Sequence, residues 1–123
     1  MNERMNRAVW FEIPAVDFER AVRFYESVFR TTMLREKQGD SAVFAYDQPA
    51  MSGSVTRAPH LVPSQSGAVI YLNADPDLDA ALERVQQAGG RVVLPRTELP
   101  AGGGAFAHIE DTEGNRVGLH AVS

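Results

Sequence analysis

The feature that most constrains this chain is an internal repeat. Sliding the second half onto the first by 60 positions places Asp77 on Asp17, Ala81 on Ala21, Leu82 on Val22, Val85 on Tyr25 and Leu94 on Leu34. Each half is too short to enclose a core alone, so the two must bury their apolar faces against one another or against a second chain. The 123 residues therefore read as one domain, 1–123, made of a first unit at 8–56, a linker at 57–66 and a second unit at 67–123.

Local patterns give each unit the same order of elements. Residues 8–14 are β-branched and aromatic and stop at Pro14, as a strand does. Asp17 stands at an N-cap, and Phe18, Val22, Tyr25 and Phe29 recur at helical spacing over about 17–30. Strands follow at 32–36, 41–46 and 51–56, separated by Gln38-Gly39-Asp40 and Asp47-Gln48-Pro49. The linker carries Pro59 and Pro63, and His60 within it is expected in solvent. In the second unit, 67–74 is a strand, Asp77 caps a helix, Gly89-Gly90 closes it, and 91–95, 104–109 and 115–122 are strands. The expected class is α+β: tandem βαβββ units forming a curved, mixed but mostly antiparallel sheet around a cleft.

Charge and cysteine content exclude several functions. Twelve basic against sixteen acidic residues give a net charge of −4, with no basic patch for nucleic acid or an anionic membrane. No window approaches the roughly 18 apolar residues of a membrane span, and the cytoplasm is the expected location. With no cysteine, disulfides, thiolate chemistry and sulfur-ligated metals are excluded.

Four segments carry a family likeness: Phe11-Glu12-Ile13-Pro14; Asp17 through Arg20-Ala21, Phe24-Tyr25 and Val28-Phe29; Gly89-Gly90-Arg91-Val92-Val93; and Asp111-Thr112-Glu113-Gly114-Asn115-Arg116-Val117-Gly118-Leu119. In these the chain resembles the vicinal oxygen chelate superfamily of glyoxalase I, bleomycin-resistance proteins, fosfomycin-resistance enzymes and extradiol dioxygenases. Within it, the chain looks like the branch of predicted enzymes related to lactoylglutathione lyase. The resemblance implies homodimerisation, and in metal-dependent members it implies His or Glu ligands on the first and last strands of each unit, holding an ion that polarises substrate oxygens. Those positions fall here on Trp10, on Ile70 (Val69 with the gap placed differently), on Gly118 and on a residue among Met51–Val55. None of these is a His or Glu, so no cofactor is expected and a divalent metal enters only as a minor alternative.

Strand alternation places Glu12 beside Trp10 and His120 beside Gly118, pointing inward one layer along. An inward carboxylate and imidazole suit acid/base work, or simply hydrogen-bonded structural roles. Trp10, Tyr46 and Tyr71 offer flat faces for an aromatic ligand, although Trp10 serves equally as filler of the space a metal would take. His108 lines the cleft or packs against it. The glycine run Gly102-Gly103-Gly104 precedes a strand and reads as a lip, not a phosphate loop. The turn Asp111–Asn115 needs no catalytic explanation. Two readings result: a metal-independent module binding an unidentified small molecule through Trp10, Tyr46, Ile70, Tyr71, His108 and Gly118, or a lyase or isomerase with a displaced site using Glu12 and His120, with or without a divalent metal.

Overall fold

The computed structural model describes residues 7–47 and 51–123; Gln48 and Pro49 of the expected turn lie outside them. The elements are β1 (Trp10–Pro14), α1 (Phe18–Phe29), β2 (Leu34–Arg35), β3 (Asp40–Val43), β4 (Ser52–Arg57), β5 (Tyr71–Asn73), α2 (Leu78–Gln87), β6 (Arg91–Glu98), a short 3-10 turn (Pro100–Gly102), β7 (Ala105–Glu110) and β8 (Arg116–Ala121). The βαβββ order holds in both units. The strands form two four-stranded mixed sheets, ordered β1-β4-β3-β2 and β5-β8-β7-β6. In each, the first strand runs parallel to the last and the other neighbours are antiparallel. The parallel pair follows from the helical crossover that separates those strands.

Both helices start where the aspartates predict. Asp17 accepts a hydrogen bond from the Arg20 N–H and Asp77 from the Ala80 N–H, each at 3.1 Å. Helix α1 turns one face fully inward through Ala21, Val22, Phe24, Tyr25 and Val28. It lies against β3 and β4, α2 lies against β6, β7 and β8, and the two helices pack on each other. The sheet faces opposite the helices therefore point away from this helical seam. Alternation is clearest in β7, where Ala105, Ala107 and Ile109 are buried while Phe106, His108 and Glu110 are half-exposed.

The repeat has two registers. The helix caps Asp17 and Asp77 stand 60 positions apart, but the first strands, β1 and β5, superpose at 59: Ile13 pairs with Val55 as Leu72 pairs with Leu119, and the Ala15 and Ala74 N–H groups donate to the Thr56 and His120 carbonyls. One extra residue between Ala74 and Asp77 absorbs the difference. Val69 is thus the counterpart of Trp10, and Ile70 is the counterpart of Phe11. Both Phe11 and Ile70 pack against the buried core.

The two units are latched by the β7–β8 turn. The buried Glu113 carboxylate accepts from the Val16 N–H (2.8 Å), the Asp17 N–H (2.7 Å) and Arg20 Nε (2.7 Å) at the start of α1. Asp111 accepts from the Tyr25 hydroxyl at 2.6 Å and from the Asn115 side chain at 2.9 Å, while Asn115 also donates to the Pro14 carbonyl at 2.7 Å. The turn's carboxylates are accordingly consumed by structure.

Candidate functional site

Period-two alternation sorts the open faces. In the first sheet, Trp10 and Glu12 of β1 stand beside Ser52 and Ser54 of β4. In the second, Tyr71 and Asn73 of β5 stand beside Gly118 and His120 of β8, which in turn neighbour His108 and Phe106 of β7.

The most organised cluster is in the second sheet. The Tyr71 hydroxyl lies 2.6 Å from His108 Nε2, and Arg116 Nε lies 2.9 Å from His108 Nδ1. Arginine only donates, so Nδ1 must present its lone pair and the proton of the neutral ring resides on Nε2. That proton is donated to the Tyr71 oxygen, which frees the tyrosine O–H to donate outward. Burial, and secondly the Arg116 charge, hold the His108 pKa below its ordinary value, consistent with the neutral ring. The rings of Tyr71, Phe106 and His108 meet edge-on or tilted at 5.3–6.0 Å. Gly118 makes this possible: a Cβ there would collide with the Tyr71 ring that lies across it. Tyr71 stays 50 % exposed, so its ring and hydroxyl remain reachable.

In the first sheet, Trp10 meets Tyr46 edge-on at 6.0 Å, and the two are 41 % and 39 % exposed. Glu12 is exposed and borders a shallow groove with Ile70 and Arg116. His120 borders a different groove, with Tyr71, Asn73 and Asp75, and its Nε2–H donates to the Gly103 carbonyl at 2.7 Å, fastening the glycine lip. Tyr71, His108 and Gly118 are thus brought together, Trp10 and Tyr46 form a second group, and Ile70 packs on the helix side. Arg116 went unnoticed in the sequence, although it lies two residues before Gly118 on β8 and alternation alone assigns it to the same face.

The residues at the expected ligand positions do not fit a divalent cation. Trp10, Val69 and Gly118 offer no donor side chain, Ser54 is paired with Thr56 at 2.8 Å, and among the described residues no three His, Cys, Asp or Glu side chains gather.

The fold and the site together define an α+β protein of two latched βαβββ units, each presenting the open face of a sheet. The chain belongs to the Glyoxalase/Bleomycin resistance protein/Dioxygenase superfamily, which matches residues 7–119. It is 32 % identical over 118 residues to a glyoxylase-like domain-containing protein of Didymella fabae, covering 90 % of this chain and 88 % of that one. Its structure is similar to that of TnmS3, an antibiotic binding protein from Streptomyces sp. CB03234, with TM-score 0.69, 26 % identity, and 99 % and 100 % of the two chains covered. It also shares the fold of a glyoxalase/bleomycin resistance protein from Albidiferax ferrireducens T118, with TM-score 0.73, 16 % identity, and 93 % and 98 % covered. No helix among the described residues is long and apolar enough to cross a membrane.

Proposed function

We propose that this protein is a metal-independent small-molecule-binding member of the superfamily. The observation that carries the reading is the Arg116–His108–Tyr71 chain, which aims a hydroxyl donor from within an aromatic patch. Such a surface suits a flat aromatic molecule bearing a carbonyl or another acceptor, with the rings supplying contact area and the O–H supplying orientation. The similarity to an antibiotic binding protein supports the same class of activity. Because both open faces point away from the helical seam, one sheet covers half a ligand; a homodimer that sets the first sheet of one copy over the second sheet of the other encloses it. Trp10, Glu12 and Tyr46 then face the ligand from the partner side. The cytoplasm is the compartment we propose, in keeping with the cysteine-free sequence.

The lyase or isomerase alternative draws no support from proximity, since Glu12 and His120 border different grooves and His120 is engaged with Gly103. Titration of a panel of flat aromatic carbonyl compounds, followed by Trp10 fluorescence, tests the proposal. Saturable binding that weakens in Tyr71→Phe and persists in the presence of a chelator is expected. A panel without any binder, or turnover abolished by Glu12→Gln and His120→Ala, overturns it. Sedimentation of the free protein as a monomer at all concentrations removes the dimer from the reading.

A further inference from the structure

We propose a second binding site, which borders the open sheet faces at Tyr46, Ser52, Tyr71 and Asn73 but is centred between the two units: this groove takes an aromatic monocarboxylate, with Arg84 as its anion anchor. The groove holds about 400 Å³, within the roughly 300–1,000 Å³ of small-molecule sites. Phe11, Phe29 and Phe44 line it, and Phe44 meets each of the other two rings at 6.0–6.1 Å. Together they present ring faces and edges to an aryl group.

Arg84, on the last turn of α2, lines the same groove and is half-buried. Its Nε donates to the Val28 carbonyl at 2.7 Å, which fixes the plane of the guanidinium. Among the described residues the ion-paired arginines are Arg20, Arg35, Arg57, Arg91 and Arg96; Arg84 has no carboxylate partner. A half-buried arginine held by Nε alone keeps its terminal amino groups for an incoming anion, and a carboxylate matches that planar fork. The structural contact to Val28 explains the Nε and leaves the rest of the group unused.

Asp75 sets the charge of the ligand. It lines the groove too, with Oδ1 accepting from the Val122 N–H at 2.7 Å. A negative charge nearby disfavours a dianion, so one carboxylate on an aromatic body is the class the groove fits. The polar side chains of Thr31 and Asn73 also line the groove.

Calorimetric titration with 2-naphthoate and with 2-naphthamide tests the site, because the amide keeps the shape and the carbonyl acceptor but lacks the charge. Binding of the naphthoate at least about tenfold tighter than the naphthamide is expected, as is loss of that preference in Arg84→Gln. The largest amide shifts in NMR spectra should then fall at Thr31, Ala74 and Arg84. Equal affinities, a preference that survives Arg84→Gln, or shifts centred on Phe106 and His108 overturn the site. The last pattern, with both compounds bound alike, is what the open-face reading gives by itself. The comparison of the two compounds on the unaltered protein stands even where Arg84→Gln fails to fold.

Discussion

The side chain of Glu113, fully buried in the turn between β7 and β8, meets the Arg20 guanidinium of α1 at 2.7 Å and so ties the second unit to the first. Burial, the largest single influence, works against its ionisation, but the hydrogen bonds from Arg20, the Asp17 N–H, the Thr112 hydroxyl and the Val16 N–H together outweigh it and hold its pKa below the ordinary 4.5. A carboxylate whose folded value is depressed contributes stability above its unfolded value and loses that contribution as pH falls through the folded one. Urea midpoints should therefore decline below about pH 4.5, and Glu113→Gln should flatten the decline while lowering stability at pH 7 by roughly 2–4 kcal/mol, since two backbone donors and a half-exposed arginine lose a charged acceptor. An unchanged pH profile in the variant removes Glu113 as the latch.

Tyr25→Phe deletes the hydroxyl that donates to Asp111 at 2.6 Å in the fully buried core. The carboxylate keeps its bonds from the Glu113 and Asn115 N–H groups and from the Asn115 side chain. The expected cost is about 1–3 kcal/mol, read by thermal or urea unfolding, with helix content unaltered.

His108 is neutral because burial and Arg116 disfavour the imidazolium. Its folded pKa lies below the unfolded value, so its contribution to stability is complete above the ordinary 6.5 and declines as pH falls below it. NMR titration of the His108 ring should give a midpoint below 6.5 in the native protein and a higher one in Arg116→Gln, where the neighbouring charge is gone. Equal midpoints in the two proteins dissolve the Arg116–His108–Tyr71 chain.

Gly118→Ala places a Cβ where the Tyr71 ring lies. Overpacking of this kind costs about 1–3 kcal/mol, and it should swing Tyr71 off His108 while the rest of β8 stays in register. Weaker binding of aromatic carbonyl compounds with a modest loss in melting temperature is expected; unchanged binding shows that the flat position of Tyr71 is not needed.

Much of the fold was legible because it rests on local rules. Asp17 and Asp77 mark helix starts by the chemistry of their carboxylates, the apolar stripe of α1 follows the helical period, and Gly114 sits in its turn at a φ of 98°. The site was harder to read. A uniform 60-position offset aligned Ile70 with Trp10, whereas β1 and β5 repeat at 59, and a shift of one residue exchanges the two faces of a strand. Glu12 and His120 share the open side of their sheets, but sequence distance cannot state whether two sheet faces look at each other.

The sequence by itself determined two βαβββ units, their caps and turns, and the absence of His or Glu at the positions where the resemblance implies a metal. Only the tertiary structure decided that α1 and α2 pack together, that the open sheet faces turn outward, that Arg116 sets the tautomer of His108, and that Arg84 borders a groove without an ionic partner. The reason is physical. Caps and periodicity act over a few residues along the chain, while the partners of Arg116, Tyr71 and Glu113 are chosen by strand register and interunit packing, which bring together atoms from distant parts of the sequence.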